Sequence, residues 1–130
     1  MAPVVGRMRG RSSFRALARP DGRARKGYLS VLYRAPGTAA PAFPLVGYAI
    51  GRRHGSAVRR NRLRRRLREA MRLCAPDLPP GSYLVRSEPV RTGVSFDELC
   101  HDLRSAALRA SGRQADRADR AERAGGRASA

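Results

Sequence analysis

Arg59, Arg60, Arg62, Arg64, Arg65, Arg66 and Arg68 place seven guanidinium groups within ten residues. The chemistry such a run performs is phosphate binding. A guanidinium stays charged at physiological pH, and its planar fork meets two phosphate oxygens at once. Apolar residues are threaded through the same run. With Leu63 at zero and about 100° per residue, Leu67, Ala70, Met71 and Cys74 fall between about −20° and +80°. Asn61, Arg64, Arg65, Arg68 and Arg72 fall between about 100° and 200°. The spacing predicts a helix that docks on a core by one side and carries a cationic surface on the other. Only a polyanion would neutralise that surface. Arg59 and Arg60 lie along the apolar side, so the first turn is expected to project past the core edge.

Catalytic patterns are missing. A metal-ion nuclease needs clustered carboxylates, and the basic half of the chain holds only Asp21 and Glu69. Asp97 and Glu98 belong in the first turn of a capped helix, and Asp102 is a helix-face acid. His54 sits in a Gly-flanked basic loop and reads as a loop residue within reach of phosphate, whereas His101 reads as a helix-surface residue. Neither has a Ser, Cys or carboxylate nearby in a recognisable pattern. Cys74 and Cys100 form no CxxC or Cys/His cluster, so no metal site is expected, and Cys74 reads as a small, reduced core residue. Gly47 and Gly51 flank a strand with no phosphate-cradling loop after it. The chain carries binding apparatus without catalytic apparatus.

These residues need a scaffold, and 130 residues provide for one core. The net charge of +18 is uneven. Residues 1–72 hold 19 cationic side chains against two carboxylates, while the rest of the chain holds nine against eight. A field of one sign over half a domain favours nucleic acid. One lysine, Lys26, stands among 28 cations, a skew that a GC-rich genome explains as well as an RNA ligand does. No signal peptide is apparent, since Arg7 breaks the short apolar start, and no apolar run approaches the ~18 residues that span a bilayer. A cytoplasmic protein is expected.

Residues 1–10 read as a flexible basic arm, 11–109 as a single RNA-binding domain, and 110–130 as a disordered tail, because no large apolar residue follows Ala110. Within the domain, Ser12 or Ser13 caps a short helix through Phe14–Ala18 that stops at Pro20-Asp21-Gly22. Tyr28–Tyr33 and Leu45–Ile50 read as strands, and their tight spacing suggests an antiparallel pair. Ser56 is the expected N-cap of the arginine helix over 57–73. A Pro-rich turn and a strand over Ser82–Arg86 follow. Ser95-Phe96-Asp97-Glu98 is a capping box, opening a helix with Phe96, Leu99, Leu103, Ala106 and Ala107 inward, to about Arg109. The few aromatics are each more often core than a base-stacking platform, and Phe14 and Tyr33 are the pair placed to share a groove between the first helix and the sheet, where stacking would suit single-stranded RNA.

The segment from Leu45-Val46-Gly47 through Gly55-Ser56-Ala57-Val58-Arg59-Arg60-Asn61-Arg62 to Arg68-Glu69 resembles the signature of the bacterial ribonuclease P protein subunit. That pattern is a Val-Gly strand, a basic pair, a Gly-x-Ala-Val turn, Arg-Asn-Arg, a second basic pair and Arg-Glu. Weaker similarity runs from Phe14 to about Leu108, including the Leu78–Gly81 turn. Departures are Gly51 for a usual serine, Arg52 and Arg53 for lysines, His54 where an aliphatic is common, and Ala18 where a second cleft aromatic often lies.

The resemblance implies an α+β fold, a two-layer α/β sandwich with helix-strands-helix-strand-helix order and a left-handed βαβ crossover through the arginine helix. It implies that an RNA subunit, with its own magnesium ions, removes the 5′ leader of precursor tRNA, and that the protein holds no cofactor and is inactive alone. The implied partners are that RNA and precursor tRNA, with no membrane and no obligate protein partner. By position, Phe14 and Tyr33 would line the leader cleft, with Arg53, Arg60 and Asn61 as its polar side. Arg52, Arg62, Arg64, Arg65 and Arg68 would face the RNA subunit. The competing readings are another RNA-binding protein without a processing role, and a DNA-binding protein with the arginine helix in a major groove. The second is disfavoured because Asn61 is the only evident base reader.

Overall fold

The computed structural model describes residues 5–89 and 94–128, with side chains to residue 112. Five strands form one mixed sheet: β1 (Gly6–Arg7), β2 (Gly22–Lys26), β3 (Leu29–Arg34), β4 (Pro44–Ala49) and β5 (Gly81–Ser87), in the spatial order β1-β4-β5-β3-β2. Three helices accompany them: α1 (Gly10–Ala16), α2 (Ala57–Cys74) and α3 (Phe96–Ala128).

β3 and β4 are not a pair, contrary to expectation. β5 lies between them, antiparallel to β3 (Val31 opposite Val85) and parallel to β4 (Val46 opposite Tyr83). The reason is burial. β5 offers Tyr83, Leu84 and Val85 as a continuous buried run, which suits a strand covered on both faces better than an edge. A parallel neighbour requires a long crossover, and α2 supplies it between β4 and β5.

Strand alternation sorts the apolar residues onto two faces. Leu29, Val31, Tyr33, Val46, Tyr83 and Val85 join Leu67, Ala70, Met71, Leu99 and Leu103 of the two long helices in one core. Leu84, with Leu32 and Leu45 beside it, packs with Met8 and Leu17 on the other face, where α1 lies. The sandwich of helices on sheet is therefore the expected one, with α1 as a partial third layer.

α2 forms as its spacing predicts. Ser56 Oγ accepts from the Arg59 N–H at 3.3 Å, satisfying one of the unpaired donors of the first turn. Leu67, Ala70, Met71 and Cys74 are the buried stripe. Burial pushes the Cys74 thiol up to about 11, so it remains a protonated core residue at neutral pH.

The chain ends depart from expectation. The arm over 1–10 is not free along its described part: Gly6 and Arg7 pair parallel with Leu45 and Val46, and Met8 is buried. Residues 1–4 lie outside the described residues. α1 begins at Gly10 with Arg9 as its N-cap residue, and Ser13, instead of capping, donates back to the Arg9 carbonyl at 2.7 Å. β2, which the sequence did not announce, buries only Gly22 and Ala24 between exposed arginines. Gly22 is required there, because a Cβ would run into the Ala110 carbonyl of α3.

α3 opens as foreseen, with the Glu98 N–H donating to Ser95 Oγ at 3.1 Å. It does not stop near Arg109. Ala110 and Ser111 are buried, Ser111 Oγ donates to the Ala107 carbonyl at 2.8 Å, and the helix runs to Ala128. The lack of large apolar residues does not end the helix. Ala, Arg, Gln and Glu propagate a helix already nucleated upstream.

Candidate RNA interface

α1 has seven residues, none of them buried, and no side-chain N-cap. It is fixed from outside. Met8 precedes it and Leu17 follows it, both buried against Leu84. Arg34 of β3 donates through Nη1 to the carbonyls of Ala16 (3.0 Å) and Arg19 (2.9 Å), tying the end of α1 and the turn after it to the sheet. This frame sets Phe14 over Gly47 of β4. A Cβ on Gly47 would lie 2.9 Å from Phe14 Cε1 and 3.3 Å from Met8 Sδ, so only glycine allows the ring to sit this low. Phe14 is nonetheless 42% exposed. A ring seated on backbone and open to solvent offers a face on which a base can stack.

Beside Phe14 lies a cavity of about 450 Å³, walled by Met8, Gly47 and Tyr48 on one side and by Arg64, Arg68 and Arg72 on the other. The three arginines are four residues apart, so they form one ridge of α2. Asn61 Oδ1 accepts from Arg64 Nη1 at 3.2 Å and orients it. Burial raises the Tyr48 phenol well above its ordinary range, with Arg68 acting in the opposite direction, so Tyr48 is a neutral hydroxyl at the groove. A second, wider concavity of about 920 Å³ lies over the open sheet face, and Tyr48 and Arg64 border both.

The residues expected in one cleft do not all meet. Tyr33 is 4% exposed and lies on the opposite face of the sheet from Phe14. Its hydroxyl donates to the Pro80 carbonyl at 2.8 Å, and its ring centroid is 5.0 Å from that of Tyr83. Burial, then Asp21, raises its pKa. Tyr33 is a core residue. The signal was in the sequence, since Leu29, Val31 and Tyr33 share one parity of a strand.

Arg52, Arg53 and His54 form a short 3-10 turn after β4. His54 Nε2 is hydrogen-bonded to the Ser87 carbonyl at 2.8 Å, so it tethers this turn to β5 instead of waiting for phosphate. Arg53 is exposed and Asn61 is exposed, but Arg60 is half-buried, with an Nε that has no partner, and borders neither cavity. Arg62 and Arg65 are exposed. Arg64 and Arg68, expected to face the RNA subunit, stand in the wall of the Phe14 groove. Arg72 belongs to that wall and was missed as a site residue, although it falls on the same helical arc.

Acids scarcely touch this surface. Glu69 pairs with Arg72 at 3.3 Å, both side chains mostly exposed, and Arg66 donates to the Val94 carbonyl at 3.1 Å. Among the described residues no carboxylate pairs with Arg52, Arg53, Arg62, Arg64, Arg65 or Arg68. An exposed pair such as Arg72–Glu69 is worth little, so the field of α2 stays positive. No helix of the described residues is long and apolar enough to cross a membrane.

The family model Ribonuclease P matches residues 3–111. The ribonuclease P protein component of Streptomyces avermitilis is 36% identical over 120 residues, which cover 86% of this chain and 97% of that protein. The solved RNase P protein from Thermotoga maritima matches with a TM-score of 0.62 at 27% identity, covering 75% of this chain and 90% of that one. A Staphylococcus aureus RNase P protein shares the fold, with a TM-score of 0.65 at 15% identity over 77% of this chain and 90% of that one. The family match takes in β1, the Phe14 platform, the arginine helix and the packed part of α3, and this chain therefore belongs to the ribonuclease P protein family.

Proposed function

We propose that this chain, a protein component of the endoribonuclease complex that matures tRNA 5′ ends, acts by holding two RNAs on two adjoining surfaces. The groove beside Phe14 takes the single-stranded 5′ leader of precursor tRNA. One leader base stacks on Phe14, which contributes about 1–3 kcal/mol, while Arg64, Arg68 and Arg72 meet the phosphates on either side. The outward arginines, Arg62 and Arg65 of α2 with Arg52 and Arg53 of the turn before it, hold the RNA subunit. The observation that carries this reading is the exposed Phe14 ring seated on Gly47 in a groove walled by arginine.

Bond cleavage belongs to the RNA subunit and to magnesium held there. Three of the acids already have partners: Asp21 accepts from the Ala35 N–H at 2.8 Å, Asp77 pairs with Arg104 at 3.1 Å, and Glu69 pairs with Arg72. The protein's contribution is electrostatic and positional. Its cationic ridge lowers the repulsion between two polyanions, work that would otherwise need more magnesium. It operates in the cytoplasm without an obligate protein partner.

The test is cleavage of precursor tRNA by the RNA subunit at low magnesium, with and without this protein. Cleavage should accelerate with the protein present, and the protein alone should leave the substrate intact. No acceleration, or equal binding of precursor and mature tRNA, would count against the reading.

A further inference from the structure

β4 ends before its neighbour does. Its last ladder pair joins Ala49 to Arg86 of β5, and the chain then leaves the sheet for the turn over Arg52–His54. β5 continues to Ser87. On the β3 side, the Glu88 N–H donates to the Tyr28 carbonyl at 2.8 Å. The N–H and C=O of one trans peptide point in opposite directions, so the Ser87 carbonyl faces the side from which β4 has turned away. His54 meets it there, with Nε2 2.8 Å from the oxygen. A carbonyl can only accept, which fixes the ring tautomer with its hydrogen on Nε2. The imidazole supplies the next rung of the ladder after the backbone has left it.

Within the turn only backbone bonds hold the shape. The His54 N–H donates to the Gly51 carbonyl at 3.2 Å, and the Gly55 N–H to that of Arg52 at 3.1 Å. Gly55, at φ 95°, then reverses the chain into the Ser56 cap of α2, in a conformation that side chains rarely adopt. His54 is the residue whose side chain joins this unit to the sheet. Arg52 and Arg53, directly before it, are exposed, and among the described residues no carboxylate pairs with either. Where their guanidinium groups can reach depends on how firmly the backbone beneath them is fixed.

We infer that His54 is a positioning residue for assembly: its bond to the Ser87 carbonyl holds the Arg52–Arg53 backbone in the orientation in which the RNA subunit takes both side chains, and the ring itself touches no phosphate. This rests on the reading that these two arginines bind the RNA subunit. Without the tether the turn has to be ordered at the moment of binding. That weakens affinity while the number of phosphate contacts stays the same.

The experiment measures affinity of the full chain for the RNA subunit over a range of salt, with the melting temperature beside it. His54→Leu keeps the bulk and removes the donor, and binding should weaken about tenfold with an unchanged salt slope. His54 belongs to neither core cluster, so the melting temperature should fall only slightly. His54→Gln returns an N–H donor at similar reach and should recover most of the lost affinity. The variant Arg52→Gln/Arg53→Gln should itself bind more weakly and with a shallower slope, and adding His54→Leu to it should cause no further loss. Wild-type affinity in His54→Leu, no recovery in His54→Gln, or a full penalty from His54→Leu in the Arg52/Arg53 background would overturn the inference. A slope shallower by about 0.7 in His54→Leu alone would do so too, since it marks a phosphate contact made by the ring. If Arg52→Gln/Arg53→Gln binds as tightly as the wild type, the assignment of this turn to the RNA subunit falls, and the inference falls with it.

Discussion

The two faces of the sheet are built from the same strands, yet they have opposite relations to solvent. Under α2 and α3, Val31, Leu67, Met71, Tyr83, Val85 and Leu103 are fully buried. On the other face α1 buries none of its own residues, and arginines of β2 and β5 stand open on either side of Ser30. Phe14 and Tyr33 condense the contrast. Both are aromatic and both lie near the start of the chain, but one is 42% exposed and the other 4%. The closed face consumes its side chains in stability, and the open face keeps them available for a ligand.

That contrast can be broken first at its strongest point. Leu67→Ala should cost about 2–5 kcal/mol of folding stability, measured by denaturant unfolding; a cost near zero would mean the closed face is not packed as described. Phe14→Ala should leave the melting temperature nearly unchanged and weaken precursor tRNA binding by about 1–3 kcal/mol while sparing mature tRNA. Loss of folding instead would move Phe14 into the core. Tyr33→Phe supplies the converse. It removes the bond to the Pro80 carbonyl, should cost about 0.5–1.5 kcal/mol of stability, and should change precursor and mature tRNA binding alike. A leader-specific defect would restore Tyr33 to the cleft. The smallest effect is expected from deleting residues 113–130, within about 0.5 kcal/mol of wild type, whereas a deletion from Ala110 removes two buried residues and should destabilise measurably.

The sequence made local features legible wherever a single element carried its own signal. The Ser56 cap, the Leu67-Ala70-Met71-Cys74 stripe and the Ser95 cap of α3 are periodicities or short motifs, and each is present at the expected residues. Long-range pairing was not legible. The β3–β4 pair looked natural because the two segments are close in the chain, but insertion of β5 between them is decided by burial of a strand that comes later. β2 stayed hidden because its buried positions are Gly22 and Ala24, too small to register as core. In the candidate site the arc of Arg64, Arg68 and Arg72 could be read, but which neighbour it would face depends on where α1 and β1 lie. Tyr33 was misplaced because a groove shared with Phe14 was expected, although the parity it shares with Val31 puts it on the core face.

The arginine ridge has a consequence for the free protein. Between Asp21 and Glu69 the chain holds no acid, so the charges of α2 repel one another until something screens them. Added salt shortens the reach of that repulsion and should raise the melting temperature of the isolated chain, while the same salt weakens its hold on RNA. A polyanion does what salt does for the fold, and by mass action every bound RNA adds to the unfolding free energy. The subunit is thus least stable when it is newly made and alone, and assembly with RNA is also what completes its stability.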